Sequence, residues 1–419
     1  MKIIDDLKAL NRDQRATFIA SVSGWSLDAF DFFLMVFVVK AISKDFHTAK
    51  ESVLWGITLT LMFRPLGALV FGGLADRFGR RPLLMINVLS FSLFELASAF
   101  APSLTIFLIL RALFGFAMGG EWGIGSSLVM ESIPAQSRGT VSGILQEGYA
   151  LGYLLAALVY GLFFDLIGWR GMFIIGVLPA LLVFYFRLSV KESPVWEHSR
   201  GRTERKDLRV LFRQNWKSFL YVILLMTAFT FFSHGTQDLH PTFLQEQHLL
   251  ATRTVSAIAI VANIGAIIGG ITFGFYSQRI GRRRAIVLAS LLALPLIPLW
   301  AFSTSPLLLG LGAFLIQIAV QGAWGVIPAH LNELSPADLR GTFPGFAYQL
   351  GNFLASFNAV IQGWIAARHG GDYGMALAIV AAVSAVAVAG LTICGTEAKE
   401  SVFGESAPSL DQDRVSAPA

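Results

Sequence analysis

Two acids three residues apart, Asp28 and Asp31, stand inside the apolar run GWSLDAFDFFLMVF. A charge at the centre of a bilayer costs at least about 2.5–3.5 kcal/mol on insertion scales, so each acid there calls for a reason. A carboxylate removed from water favours its neutral form, and can load a proton on one side and release it on the other. At about 1.5 Å per residue the pair lies roughly 16 and 21 Å along its helix, near or just past the midplane. The competing reading is structural, as a partner for Arg111 or a polar cap on a cavity. Arg64, just before Pro65, and Arg111 are the two basic residues inside apolar runs. A guanidinium presents a planar fork suited to a carboxylate, so either could bind an anionic substrate or serve a buried ion pair. Arg111 and Asp31 reach similar depth and could be that pair.

His234 and Asp238 are four apart and share a helix face. Histidine titrates near neutral pH and a neighbouring carboxylate tunes it. They are candidates for proton coupling or substrate hydrogen bonding, or form a satisfied polar patch. Glu121 and Glu147 add two acids to the first half of the chain, with proton coupling or helix–helix gating as their alternatives. Gln349 and Asn352, at i and i+3, offer neutral amides that can bind a carboxylate or hydroxyl without charge.

The elements that must position these groups follow from composition. Of the 419 residues, 55% are hydrophobic and 14% charged, with 35 Phe and 40 Gly. A soluble domain carries about 25% charged residues, so much of this surface faces lipid. A single cysteine, Cys394, excludes an internal disulfide and a Cys-based metal cluster. No metal motif, nucleophile triad or nucleotide loop appears, so neither an enzyme nor a cofactor is expected. The first residues, MKIIDDLKALNRDQRA, mix both charge signs and lack the apolar core of a signal peptide.

Apolar runs long enough to cross a bilayer lie near 16–41, 52–75, 83–101, 104–131, 139–164, 171–188, 218–243, 252–277, 285–303, 306–332, 341–367 and 373–394. This predicts an all-α polytopic membrane protein with twelve spans. A short segment 1–15 precedes a bundle at 16–188, a central loop at 189–217, a second bundle at 218–394 and a disordered tail at 395–419. The central loop could carry a short interfacial helix. With the N-terminus inside, 24 of the 32 Lys and Arg fall in cytoplasmic segments, which sets the orientation by the positive-inside rule and puts both termini in the cytoplasm. That distribution, not nucleic-acid binding, accounts for the net charge of +5.

The two bundles repeat each other. GGLADRFGRR from Gly72 returns as GFYSQRIGRR from Gly274, and EWGIGSSLVMESIPAQSRGT from Glu121 returns as AWGVIPAHLNELSPADLRGT from Ala323. Trp122/Trp324, Glu131/Glu333, Pro134/Pro336 and Arg138/Arg340 pair in that register. Homologous halves with a site between them at mid-membrane are how alternating-access carriers are built. Asp76, Arg77, Arg80 and Arg81, with Glu131, Arg138 and Arg340, are assigned to a gate. Asp76 ends the second span, where it can meet the positive N-terminal end of the eleventh. Gln278 stands at its place in the second half and should lock more weakly.

GGLADRFGRRP resembles the signature loop of the major facilitator superfamily, and RALFGFAMGGEWG, from Arg111, resembles the fourth helix of sugar and metabolite:proton symporters. SHGTQDLHPT, from Ser233 to Thr242, resembles the seventh-helix motif of the lactate/pyruvate and sialate:proton symporters. Ser233, His234, Thr236, Gln237, Asp238 and Thr242 fit that motif, and Thr230 replaces its leading Asn. The stretch around Gln349 and Asn352 is similar as well. The resemblance implies the major facilitator fold and a multi-pass, monomeric transporter of the cell inner membrane. It further implies symport of a proton with a small monocarboxylate such as lactate or pyruvate, with Ser233 and Gln237 contacting substrate. The short basic central loop argues against sialate, which stays an alternative alongside a sugar acid or dicarboxylate. A drug/proton antiporter is disfavoured by the buried arginines, and a non-transporting sensor by the short tail.

Overall fold

The computed structural model describes residues 3–188, 190–199, 208–399 and 403. The elements formed among them are helices. A short α1 (Ile3–Lys8) precedes α2 (Arg12–Asp45), α3 (Lys50–Phe78), α4 (Arg80–Ala99), α5 (Leu104–Met118), α6 (Glu121–Ser132), α7 (Arg138–Gln146) and α8 (Gly148–Leu188). The central segment carries α9 (Pro194–Ser199) and α10 (Leu208–Gln214). The second half comprises α11 (Trp216–Gln237), α12 (His240–Thr242), α13 (Thr252–Ile280), α14 (Arg282–Ala301), α15 (Pro306–Trp324), α16 (Ile327–Leu334), α17 (Phe343–Leu354), α18 (Asn358–Arg368) and α19 (Tyr373–Cys394). Residues 200–207 of the basic loop and the tail beyond Lys399, Phe403 apart, lie outside the described residues.

Ten stretches are long and apolar enough to cross a membrane among the described residues. The twelve-span arrangement is recovered by two local features. The fifth and sixth spans run together, with a break at Gly168 (φ 63°). The eleventh is divided into α17 and α18 by a 3-10 turn at Ala355–Phe357, so neither piece alone is long enough. The fourth and tenth spans are also broken, at Gly119–Gly120 and at Gly325–Val326. Large apolar side chains such as Leu93, Leu166, Leu307 and Val383 are exposed, as a lipid-facing surface requires.

Each half has its own core. In the first, Phe30, Phe91, Phe107, Phe114 and Phe173 are buried together; in the second, Phe229, Phe232, Trp300 and Ile316 are. The halves match in local detail. Ser103 and Ser305 cap α5 and α15 by accepting from Ile106 and Leu308 backbone N–H. Gly79 and Gly281, at φ 110° and 97°, make the turns into α4 and α14. Such left-handed backbone favours glycine, which explains the repeated FGRR/IGRR punctuation.

Candidate functional site

The two halves meet along two seams at the end of the bundle that carries the central loop: α3 and α6 against α17, and α7 against α13. In the first seam Asp76 Oδ1 accepts the Gly341 N–H at 2.7 Å, and Oδ2 accepts the Thr342 N–H at 3.0 Å and its hydroxyl at 2.7 Å. These donors open the eleventh span, where helix-terminal N–H groups lack intrahelical partners. Arg80 bridges Asp76 and Glu131, each at 3.1 Å. Arg77 is exposed and lies over the Phe78 ring. In the second seam Gln278 Oε1 accepts the Gly139 N–H at 3.3 Å and Arg282 Nη2 at 2.8 Å. Arg282 also holds Glu333 through two nitrogens, each at 2.9 Å, and Arg138 approaches Glu333 at 3.7 Å.

Parts of this end were not legible as gating residues. Glu192 accepts from the backbone N–H of Arg80 (2.9 Å) and Arg81 (3.1 Å), and Glu397 does the same for Arg282 and Arg283 (3.1 and 3.0 Å). Ser193 donates to Glu131, and Trp196 Nε1 donates to the Asp76 carbonyl at 3.1 Å. The Phe403 ring lies between Arg138 and Arg340, with guanidinium carbons 3.5 and 4.1 Å from its centroid.

Away from this closed end lies a cavity of about 510 Å³ between the halves. Arg64, Glu147, Phe32, Phe33, Tyr149 and Tyr153 line it from the first half; Ser233, His234, Gln237, Asp238, Gln317, Gln321, Trp324, Tyr348 and Asn352 from the second. Beneath it Trp122 stacks on Tyr348 at 4.3 Å across the two halves, and Trp25 meets both. His234 Nδ1 lies 2.9 Å from Asp238 Oδ1, and their side chains are 47% and 31% exposed, so the cavity is open on that side.

The second-half wall, His234 and Asp238 apart, carries neutral amides and hydroxyls tied in small groups. Gln237 donates to Gln317 (3.0 Å), which donates to Thr236 (3.1 Å), and Gln321 donates to Ser233 (3.3 Å). Behind the lining, Thr230 donates to Asn352 at 2.9 Å and Asn352 donates to Gln349 at 3.3 Å; Gln349 itself is buried and does not line the cavity. Asn358 donates to the free oxygen of the His234–Asp238 pair, Asp238 Oδ2, at 3.0 Å. Gln317, Gln321 and Asn358 were not singled out from the sequence, although Gln317 and Gln321, four apart in an apolar span, carry the same signal as the pairs that were. Thr242 falls on α12 and does not line the cavity.

The first-half charges divide differently from the expectation. Arg64 lines the cavity, 3.9 Å from Asp28, against Met118 Sδ at 2.6 Å and the Phe32 ring. Arg111 does not line it. It is fully buried, with Nη1 2.8 Å from Glu95 and Nη2 2.6 Å from the Ser98 hydroxyl, and is surrounded by the Phe107, Phe114 and Phe173 rings. The expected substrate-ligand role for Arg111 is therefore corrected, and its direct partner is Glu95 rather than Asp31. Asp31 is buried in the same region, and neither of its carboxylate oxygens has a hydrogen-bond partner. Glu95 was missed although it stands inside the third apolar run. Glu121 is buried away from the cavity lining.

With this geometry in view, the Major Facilitator Superfamily model matches residues 21–262, and a sugar (and other) transporter model matches 217–402. The chain belongs to the Major Facilitator Superfamily. It is 31% identical to a probable 4-methylmuconolactone transporter of Cupriavidus pinatubonensis, over 87% of this chain and 86% of that one. It is 30% identical to the sialic acid transporter NanX of Escherichia coli, over 89% and 92%. A carboxylic acid transporter protein homolog of Saccharomyces cerevisiae is 28% identical over 87% of this chain, which spans 64% of that longer protein. In structure the chain is similar to the proton:xylose symporter XylE, with a TM-score of 0.77, 18% identity, and coverage of 96% and 98%; that likeness concerns the fold. The protein is a multi-pass membrane transporter of small molecules, not an enzyme.

Proposed function

We propose that this member of the superfamily is a proton-coupled carboxylate symporter of the cell inner membrane, with both termini cytoplasmic. In that orientation the sealed central-loop end faces the cytoplasm and the cavity opens outward. The observation that carries the reading is Arg64. It places a guanidinium on the wall of a cavity whose opposite wall, beside the His234–Asp238 pair, is amide and hydroxyl, an arrangement that suits one carboxylate plus hydrogen-bonding groups. Its contact with Asp28 is long, which leaves the guanidinium fork able to engage a second anion. Asp28 and Asp31, or His234 with Asp238, would take the proton, and Gln237, Ser233 and Asn352 would orient substrate, with Gln349 holding Asn352 from behind.

Lactate or pyruvate is the first substrate assigned. A second reading, a ring-bearing acid, is favoured by the aromatic walls at Phe32, Phe33, Tyr149, Tyr153 and Tyr348 and by a volume well above what a three-carbon acid fills. The names of the muconolactone and sialic acid relatives agree with it. The test is uptake of labelled lactate and of labelled nicotinate into proteoliposomes. An inward-acid gradient should drive accumulation of one of them, a protonophore should abolish it, and Arg64→Ala should remove it. Accumulation that survives the collapsed gradient, or that demands sodium, refutes the coupling.

A further inference from the structure

We propose that Glu147 is the proton-dependent latch of the α7/α13 seam: it takes a proton from the cavity while the seam is closed and gives it up to the other side when the seam parts. This rests on the symport reading and assigns it a coupling group. Glu147 stands between α7 and α8, at the point where the fifth span leaves the seam and begins to line the cavity. It therefore belongs to both surfaces at once.

The seam is packed backbone to backbone. A Cβ added at Gly139 would lie 2.5 Å from the Gly274 carbonyl oxygen, and one at Gly143 would lie 2.5 Å from that of Gly270. The carboxyl of Glu147 is clamped in this contact, since a Cβ at Gly270 would fall 2.0 Å from its Oε1. That oxygen is buried and has no hydrogen-bond partner. The charged and titratable groups on the same cavity are Arg64 from α3, Tyr149 and Tyr153 from α8, His234 from α11 with Asp238 at its end, His240 from α12, and Tyr348 from α17. None of them forms an ion pair or hydrogen bond with Glu147, and on α13 it is the Gly270 backbone that packs against its carboxyl.

An ionised carboxylate needs water, a cation or donated hydrogen bonds, and the closed seam supplies none to this oxygen. The neutral acid is the form that lets α13 close over it. Parting the seam replaces the Gly270 backbone by water from the central-loop side, and there the ionised form is favoured. Closure and proton occupancy thus become one equilibrium, with the cavity as entrance and the opened seam as exit. The internal repeat makes the same point from the other side. The position 202 residues on is Gln349, an amide of the same shape that cannot titrate, so only one of the two seams carries the device.

The test uses the full chain with Cys394→Ser and a reporter cysteine, Ile271→Cys, on the α13 face that meets Gly143. Labelling by an impermeant maleimide from the central-loop side, divided by that of the denatured chain at the same pH so that ionisation of the thiol cancels, is read against pH in membrane vesicles. In the Glu147 background it should rise on alkalinisation by about tenfold per pH unit until it saturates, as a one-proton equilibrium requires. Glu147→Gln should abolish that rise and stay low at every pH, and counterflow exchange should slow with it, because exchange requires the seam to part. Gly270→Ala, which wedges the seam, should label highly at every pH. If Glu147→Gln does not fold, this second variant decides the matter, and labelling that still follows pH in it overturns the latch. A Glu147→Gln protein that keeps the parent's pH-dependent labelling, with gradient-driven uptake intact, overturns the latch alone. Parent uptake that ignores the proton gradient overturns the symport reading and the latch with it.

Discussion

Asp76→Asn is the sharpest perturbation of the sealed end. The carboxylate collects three hydrogen bonds from Gly341 and Thr342, at 2.7, 3.0 and 2.7 Å, and pairs with Arg80 at 3.1 Å. Asparagine keeps one acceptor oxygen, which can still serve Gly341. Its amide cannot accept the Thr342 N–H, so two donors then face each other in a half-buried seam. A hydrogen bond to a charged group is worth about 1.5–3 kcal/mol. Losing one such bond and weakening another shifts the closed–open balance by about 2–3 kcal/mol, or roughly thirty- to a hundred-and-fifty-fold toward open. Substrate affinity should change little, because Asp76 is not part of the cavity lining. Turnover should fall, and labelling of the Ile271→Cys reporter should rise. Gln278→Asp should have a smaller effect, because the Gln278 contact with Gly139 is already long at 3.3 Å. An unchanged turnover and unchanged labelling in Asp76→Asn would refute the reasoning.

Three further outcomes are expected. His234→Ala and Asp238→Asn should each impair uptake, with the double variant little worse than the poorer single, since the pair shares one 2.9 Å bond; additive losses with an unmoved pH profile would reduce both to packing residues. Phe403→Ala removes two cation–π contacts, each worth about 0.5–2 kcal/mol, and should raise reporter labelling, whereas Phe403→Tyr should not. Asp372 caps α19 by accepting the Met375 N–H at 3.0 Å, and this bond, ahead of those with Gln247 and Gly374, holds its carboxyl below the usual range. Its stabilisation should be full above the ordinary carboxylate pKa and fade as pH falls through the lowered folded value. Asp372→Ala, costing about 1 kcal/mol, should therefore lower Tm at neutral pH and not in strong acid.

The apolar runs and the 202-residue repeat already mark the spans, because lipid burial and helical length leave a signal in composition alone. What escapes is azimuth. Depth along a helix places Arg111 level with Asp31, but the direction each side chain points decides the partner, and Glu95 takes Arg111 from α4. For the same reason Arg64 and Arg111 look equivalent in sequence, while one lines the cavity and the other is sealed among phenylalanines. The gap between the fifth and sixth apolar runs, at 165–170, coincides with Gly168, whose positive φ interrupts an otherwise continuous helix. Glu192 and Glu397 read as loop charges because nothing local shows that they reach backbone N–H groups more than a hundred residues earlier.

Those two glutamates bear on how the protein is made. Glu192 emerges from the ribosome 112 residues after the Arg80 amide it ties, once all six spans of its own half have been synthesised. Glu397 follows its target Arg282 by 115 residues, again at the close of its half. Each half therefore receives its fastening from its own last segment, without waiting for the other. Membrane insertion can proceed as two successive assemblies, the first fastened before the second has begun to leave the translocon.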